Sequence, residues 1–370
     1  MMKIDRALLV NLDWIPLILV IVINMIGIIN NYSSCLNNPL SGQSSLYIKQ
    51  IQWFIIGFFA LTAAFFTDYR FLVRHAYIIY GISLLLLIIV LTHGYATRGS
   101  QRWIAIGSFT FQPSEIVKLS IILALAKYFD SHQTNRDFRL NELLIPFLIV
   151  LIPFIMILKQ PDLGTALIIL IIFSAIILFV GFEYKSLVAT VVMGLLFIPA
   201  GWHFLKDYQK ERILTFFKPE HDPLGTGYHI IQSMIAVGSG GFLGKGYLKG
   251  SQTQLKFLPE QQTDFAFSVF AEEWGFIGVI VLLFLFFYLI IWGLKIMMRA
   301  KDYSGALLSF GIVMLILWEV FINIGMVIGV LPVVGIPLPF ISYGGSSLMV
   351  LMSAVGVLMS IGVRRFILQS

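Results

Sequence analysis

The stretch Leu258-Pro259-Glu260-Gln261-Gln262-Thr263-Asp264-Phe265 runs directly into an apolar segment that begins with Ala266-Phe267. It is the densest part of a polar island, residues 208–273, in an otherwise apolar chain. A carboxylate at the mouth of a membrane helix is costly to desolvate, so such a group marks a functional site by default. We therefore predict that Asp264 carries the chemistry and that the rest of the chain holds a substrate against it.

The composition of the chain is that of a membrane protein. Its 370 residues are 58% hydrophobic and only 12% charged, and the mean hydropathy is +0.91. A soluble domain is typically about 25% charged, so most of this chain must use lipid as its solvent. The net charge of +6 comes from Lys and Arg in short gaps between apolar runs. A nucleic-acid-binding protein concentrates these residues on one polar face, so we exclude nucleic acid as a partner.

The lengths of the apolar runs predict the architecture. A membrane-spanning helix needs about 20 mostly apolar residues. By that rule the sequence predicts an all-α integral membrane protein, a bundle of ten transmembrane helices in a single domain of residues 1–370. The ten predicted spans are residues 14–30, 48–67, 75–93, 113–129, 143–159, 163–180, 187–204, 276–297, 306–330 and 347–363.

The distribution of Lys and Arg predicts which side each loop faces, because short cytoplasmic loops collect these residues. With the N-terminus placed inside, that side holds Arg70, Arg74, Arg136 and Arg139, and few basic residues remain in short loops on the other side. We therefore expect a multi-pass protein of the cytoplasmic membrane with both termini cytoplasmic. The large loop between spans seven and eight is then extracytoplasmic.

That large loop, residues 205–275, is predicted to hold the catalytic region. Residues 204–212 mix charge with aromatic side chains and indicate an amphipathic helix along the membrane interface. Residues 228–237 are apolar but too few to span a membrane, which is typical of a re-entrant or interfacial segment.

Two interpretations of Asp264 are open. Thr263 or Asp264 could cap the helix that follows by accepting hydrogen bonds from its free N–H groups. Asp264 could also be a general base, which needs a carboxylate within hydrogen-bond reach of a substrate hydroxyl. Glu272 and Glu273 lie about two helical turns further on. One of them either faces the Asp264 side or packs against a basic side chain.

Two predicted helix starts carry further candidates. Glu115 and Lys118 lie three residues apart on one face of span four. They form either a structural ion pair or, with Arg102, a contact surface for a polyanionic head group. Asp162 precedes span six with Thr165 three residues on, as a helix N-cap does. Because helix N-termini also favour anions, Asp162 could instead help to frame a cavity for a pyrophosphate.

Span nine and the loop after it supply the remaining candidates. Glu319 and Asn323 are four residues apart on one helix face, and Glu319 should face protein or water rather than lipid. Ser342 follows a loop, residues 331–340, that three prolines stiffen. It leads into span ten with hydroxyl and backbone groups available to a ligand.

Several short motifs stand in a set order along the chain. They are Gln112-Pro113-Ser114-Glu115, Gln160-Pro161-Asp162-Leu163-Gly164-Thr165, Asp222-Pro223-Leu224-Gly225, Tyr228-His229-Ile230-Ile231-Gln232-Ser233, Phe257-Leu258-Pro259-Glu260 with Thr263-Asp264-Phe265, and Pro337-Leu338-Pro339-Phe340 with Ser342-Tyr343-Gly344-Gly345-Ser346. In this order they resemble the SEDS family (shape, elongation, division, sporulation). The resemblance runs from about residue 14 to residue 365.

The resemblance implies a ten-span peptidoglycan glycosyltransferase that polymerises lipid II for cell-wall elongation and rod shape. It implies as partners a class B penicillin-binding protein, which crosslinks the new strand, and other membrane proteins of the elongation complex. It also implies that Asp264 is the essential aspartate of the large loop and that Glu115 and Lys118 form a functionally important pair. At position 319 the family pattern implies a neutral residue, so Glu319 departs from it.

The implied mechanism is an inverting transfer. The 4-hydroxyl of the acceptor's N-acetylglucosamine attacks C1 of the donor's N-acetylmuramic acid, Asp264 accepts the hydroxyl proton, and undecaprenyl pyrophosphate leaves. The charge that develops on the pyrophosphate needs stabilisation by cationic side chains or by a divalent cation such as Mg²⁺ or Mn²⁺. The sequence shows no Cys or His cluster of metal-ligand spacing. Besides Asp264, the predicted lipid II contacts are Arg102, Glu115, Lys118, Asp162, Arg212, Glu319, Asn323 and Ser342.

Three alternative functions stay open. One is a division-specific polymerase of the same family. Another is a transporter that flips lipid II, which would explain charged groups within the membrane but not a large outer loop rich in motifs. The third is a non-catalytic scaffold for the penicillin-binding protein, which would not need Asp264.

Overall fold

The molecule is a bundle of helices, which confirms the predicted fold class. The computed structural model describes residues 12–35, 46–97, 100–106, 109–133, 136–184, 186, 188, 207–218, 225–258 and 260–365. Its helices are α1 (Ile15–Cys35), α2 (Leu46–Phe66), α3 (Tyr69–Arg74), α4 (Ala76–His93), α5 (Pro113–Ser131), α6 (Leu144–Lys159, after a 3-10 turn at Leu140–Leu143), α7 (Leu163–Val180), α8 (Asp207–Phe217), α9 (Thr226–Ser239), α10 (Ser251–Gln254), α11 (Ala266–Met298), α12 (Tyr303–Val327) and α13 (Gly345–Arg364).

Eight helices in the described part of the chain are long and apolar enough to cross a membrane, which makes this a multi-pass membrane protein. They are α1, α2, α4, α6 with its 3-10 turn, α7, α11, α12 and α13. Of the two other predicted spans, residues 113–129 lie in α5, a buried helix that charged side chains such as Glu115 and Lys118 make less apolar. Residues 187–204 lie outside the described residues except for residue 188, so a total of ten spans stays a prediction.

A small β-sheet between α4 and α5 was not predicted. Its strands are β1 (Tyr95–Thr97), β2 (Ser100–Ile106) and β3 (Phe109–Phe111), paired antiparallel in that order. Strands of three residues are too short to show the alternation by which strands are recognised in sequence. The sheet matters for the site because β2 carries Arg102 and β3 leads directly into α5.

Helix α11 begins at Ala266, whereas span eight was predicted to begin at residue 276. The extra turns contain Glu272 and Glu273, and the helix kinks at Gly275, whose φ of 63° is in the left-handed region that favours glycine. In the sequence, these two carboxylates and the glycine interrupt the apolar pattern, so the span was predicted to begin after them. In the structure, the backbone is helical on both sides of the kink.

Neither of these glutamates lies on the wall of the cavity described below. The Glu272 carboxylate accepts hydrogen bonds from Lys245 Nζ (2.8 Å) and Gln252 N (2.9 Å), which confirms its predicted packing against a basic side chain. The Glu273 carboxylate accepts a hydrogen bond from Ser33 on α1.

Both segments singled out in the large loop contain helix, and their placement at the membrane interface stays a prediction. The predicted interfacial helix at residues 204–212 overlaps α8, and the short apolar segment at residues 228–237 lies within α9. With 14 residues, α9 is too short to span a membrane.

Helices α2 and α13 pack with their backbones close together because glycine occupies the contact. A Cβ atom at Gly356 would lie 2.3 Å from the carbonyl oxygen of Leu61, and one at Gly345 would lie 2.0 Å from the ring of Trp53. This packing fixes the start of α13, which forms part of the cavity wall.

Candidate active site

A cavity of about 890 Å³, lined by both charged and apolar side chains, lies at the start of α11. Segments far apart in sequence form its wall: β2, the starts of α5, α7, α11 and α13, parts of α8, α9 and α12, and the loop before α13. The predicted site residues on this wall are Asp264, Arg102, Glu115, Lys118, Asp162, Arg212 and Glu319. The structure thus brings most of the predicted site together.

Asp264 is half-buried on the cavity wall, one residue before the N-cap of α11. Phe265 occupies the N-cap position, and its side chain makes no capping hydrogen bond. The prediction that Thr263 or Asp264 occupies the cap position is therefore wrong. A distant part of the chain contacts the segment before α11 instead: the Gln262 carbonyl accepts a hydrogen bond from Tyr343 N (2.8 Å).

Lys118 is shared between two carboxylates at the buried end of the cavity. Its Nζ lies 2.8 Å from Glu115 Oε2 and 2.5 Å from Glu319 Oε1, and all three side chains are buried. The predicted ion pair between Glu115 and Lys118 is present. Sequence reasoning missed Glu319 as the second partner, although a charge within a span requires a neighbour of opposite sign.

Asp162 caps α7, as the sequence predicted. Its carboxylate accepts hydrogen bonds from Thr165 N (3.3 Å) and Thr165 Oγ1 (2.9 Å), and also from Gln112 Nε2 (3.1 Å) at the start of α5. Arg102 lies beside it, with 3.8 Å between Nη1 and Asp162 Oδ1. Arg102 also donates from Nε to the Gln160 carbonyl (3.1 Å) and from Nη2 to the Pro161 carbonyl, so the guanidinium joins β2 to the turn before α7.

Arg212 on α8 lines the cavity, and its Nη1 donates to the Val333 carbonyl (3.4 Å) in the loop before α13. The cavity is also lined by aromatic side chains and one carboxylate that sequence reasoning did not select. They are Trp53, Trp103, His229, Tyr343 and Glu260. His229, Tyr343 and Glu260 stand in the quoted motifs and Trp103 follows Arg102, which was the available signal.

Two predicted contacts, Asn323 and Ser342, are not among the lining residues. Ser342 is buried, and its hydroxyl accepts a hydrogen bond from Leu338 N (2.9 Å) within the loop before α13. Asn323 is buried in α12 and donates to backbone carbonyls.

Three carboxylates of this cavity are already engaged by neighbouring groups of the protein. Within the described ranges, no three or more His, Cys, Asp or Glu side chains come together as metal ligands would. Glu115 and Glu319 are paired with Lys118, and Asp162 is engaged as a cap.

Four helices begin at this cavity. Their N-cap residues Gln112 (α5), Asp162 (α7), Phe265 (α11) and Gly344 (α13) all line its wall. A helix N-terminus carries about half a positive charge and unpaired N–H groups, which attract anions. The cavity therefore combines two half-buried carboxylates, Asp264 and Glu260, with helix N-termini, of which the α7 N-terminus is already capped by Asp162.

Together, the fold and this cavity define a multi-pass membrane protein with a carboxylate-centred polar site among helix N-termini. The chain belongs to the FtsW/RodA/SpoVE family of cell cycle proteins, which residues 12–366 match.

Two relatives and one solved structure illustrate the similarity. The chain is 44% identical over 291 residues to peptidoglycan glycosyltransferase MrdB of Escherichia coli (strain K12), covering 78% of this chain and 77% of that protein. It is 33% identical over 425 aligned positions to peptidoglycan glycosyltransferase RodA of Treponema pallidum (strain Nichols), covering 95% and 98%. A solved structure described as "Structural coordination of polymerization and crosslinking by a peptidoglycan synthase complex" matches with a TM-score of 0.81 and 34% identity, covering 96% and 98%.

Proposed function

We propose that this protein is a peptidoglycan glycosyltransferase that polymerises lipid II, with Asp264 as the general base. The observation that carries the proposal is the convergence of Asp264, the arginines Arg102 and Arg212, and four helix N-termini on one cavity. The relatives named MrdB and RodA are peptidoglycan glycosyltransferases by name, and the chain covers most of their length.

In the proposed reaction, the 4-hydroxyl of an N-acetylglucosamine forms a bond to C1 of an N-acetylmuramic acid. The bond from C1 to the pyrophosphate oxygen breaks with inversion, and undecaprenyl pyrophosphate leaves. Asp264 takes the hydroxyl proton, a role that contributes about 10²–10⁴-fold to the rate in typical enzymes. A half-buried carboxylate on the wall of a cavity is suited to this task, because it can reach a bound hydroxyl.

The pyrophosphate is proposed to bind near the helix starts. Helix N-termini stabilise phosphate groups through free N–H groups and the helix dipole. Arg212 and Arg102, which also line the cavity, add positive charge, although Arg102 lies 3.8 Å from the Asp162 carboxylate. Lys118 contributes less than the sequence suggested, because Glu115 and Glu319 already balance its charge. Its proposed role is to hold α5 and α12 together at the buried end of the site.

The proposed setting is the cytoplasmic membrane, with both termini inside and the cavity on the extracytoplasmic side. This orientation assigns two groups of charged side chains to opposite sides of the membrane, and the two groups lie at different ends of the bundle. Asp68, Arg70, Asp302 and Arg364 meet at one end through the ion pairs Arg70–Asp302 (3.0 Å) and Arg364–Asp68 (3.5 Å). Arg102, Asp162 and Asp264 meet at the cavity.

The proposed partner is a class B penicillin-binding protein, since the similar solved structure is of a complex that coordinates polymerization and crosslinking. We propose a role in elongation, together with other membrane proteins of the elongation complex, because the relatives described above are named MrdB and RodA.

Incubation of the purified full-length protein with lipid II in detergent tests the function. We expect glycan strands, resolved by gel electrophoresis, because polymerisation needs no bilayer. A flippase needs a membrane and would leave lipid II unchanged in detergent, and so would a scaffold. Parallel reactions with Mg²⁺, with Mn²⁺ and with a chelator show whether a divalent cation is needed. If none of these reactions contains polymer, the proposed function is wrong.

A further inference from the structure

Asn323 joins the chain segment that contains Asp264 to the loop that contains Ile336. Its Nδ2 donates to the Asp264 carbonyl (3.0 Å) and to the Ile336 carbonyl (2.7 Å), and its side chain is fully buried on α12. Both neighbours are acceptors, so the amide nitrogen rather than the oxygen must face them. A single side chain thus ties the segment before α11 to the proline-containing loop before α13.

Gly335 brings that loop against the Asp264 carboxylate. Its φ is +77°, in the left-handed region, and a Cβ atom at this position would lie 3.3 Å from Asp264 Oδ2. Glycine therefore permits both the turn and the close approach. The next residue, Ile336, is the one whose carbonyl Asn323 holds, so both contacts act on the same short piece of loop.

We propose that Asn323 and Gly335 are positioning residues that fix the Asp264 carboxylate against the substrate hydroxyl. The proposal rests on the proposed function and assigns Asn323 a role other than the substrate contact predicted from sequence. Asn323 is not among the lining residues of the cavity, and its donor atoms are used by two backbone carbonyls. Misplacing a catalytic group by about 1 Å costs about 10²-fold in rate.

Asn323→Leu tests the first residue, because leucine keeps the approximate size and removes the donors. Asn24→Leu is the matched control: Asn24 is equally buried on α1, but it donates to the Val20 carbonyl (2.8 Å) of its own helix and not to the segment that contains Asp264. Lipid II polymerisation is measured per folded molecule over a range of substrate concentrations. We expect kcat of Asn323→Leu to fall by about 10²-fold while KM stays within about twofold, and Asn24→Leu to match the wild type.

Gly335→Ala tests the second residue without touching the hydrogen bonds. Its control is Gly329→Ala, which has nearly the same φ (+76°) in the same connection but meets the flexible Met234 side chain rather than Asp264. Both variants place alanine at nearly the same left-handed φ, so the comparison controls for backbone strain, and the Gly329→Ala clash falls on a flexible side chain away from Asp264. We expect a lower kcat at unchanged KM for Gly335→Ala relative to Gly329→Ala.

These outcomes separate the positioning role from the function itself. Absence of polymer with the wild type would contradict the proposed function. An active wild type with kcat unchanged in both Asn323→Leu and Gly335→Ala would overturn the positioning role alone. A raised KM at unchanged kcat in Asn323→Leu would overturn it too, and would make Asn323 the substrate contact predicted from sequence.

Discussion

Lys118 Nζ lies 2.5 Å from Glu319 Oε1, and this contact links α5 to α12 inside the bundle. Glu115 adds a second carboxylate 2.8 Å from the same ammonium. Glu319 Oε2 has no hydrogen-bond partner within the described residues. A buried carboxylate that loses its cation is strongly destabilising, so the folded state depends on Lys118 at this position.

Lys118→Met should therefore destabilise the protein by about 3–5 kcal/mol, measured as the unfolding free energy of the purified protein in detergent. Lys295→Met is the control, because Lys295 is exposed near the end of α11. The double variant Lys118→Met with Glu319→Gln should regain part of the lost unfolding free energy, because it removes one of the unpaired carboxylates. Equal stability of Lys118→Met and the wild type would contradict the structural role of the ion pair.

Asp162→Ala should lower the unfolding free energy by about 1 kcal/mol, the usual cost of losing an N-cap acceptor. Asp162→Asn keeps an acceptor for Thr165 N and should stay close to the wild type. KM for lipid II, measured on both variants, separates the cap from a substrate contact: if the cap is the only role, KM is unchanged in Asp162→Asn. An Asp162→Ala protein as stable as the wild type would exclude the capping role.

Asp302 predicts a pH dependence of stability at the other end of the bundle. Burial raises the pKa of this carboxyl, but hydrogen bonds from Tyr69 Oη (2.8 Å), Gly305 N (2.8 Å) and Arg70 Nε (3.0 Å) outweigh burial, so the pKa lies below its usual range. Because the folded pKa is the lower one, the stabilisation is complete above the unfolded pKa of about 4. It is lost as the pH falls through the folded value.

The test compares the unfolding temperatures of the wild type and Asp302→Asn from pH 7 downward. The wild type should be more stable at pH 7, and the difference should shrink below about pH 4. A difference that stays constant across this range would show that the charge of Asp302 contributes nothing to stability.

The membrane class and most of the site could be predicted from sequence because each rests on local patterns. Apolar run lengths identify spans, and the motifs around Asp162 and Asp264 mark helix starts. Contacts between distant segments could not be predicted. Nothing local to Glu319 states that its partner is Lys118, and nothing local to Asn323 shows that its donors face the Asp264 and Ile336 carbonyls.

The boundaries that failed have a similar cause. The start of α11 was placed too late because buried Glu272 and Glu273 look polar in sequence, whereas in the fold each finds a partner on another segment. The three-stranded sheet between α4 and α5 was missed because its pairing, not its composition, defines it.

The most direct test of the account is lipid II polymerisation by Asp264→Ala and Asp264→Asn, measured beside the wild type on protein of equal folded content. Loss of a general base predicts a fall in kcat of about 10²–10⁴-fold for both variants, with intact insertion and unchanged thermal unfolding. Asp264→Asn is the sharper variant, because it keeps the size of the side chain while it removes the negative charge and the capacity to take a proton. Wild-type rates of polymer synthesis in either variant would contradict the catalytic role of Asp264.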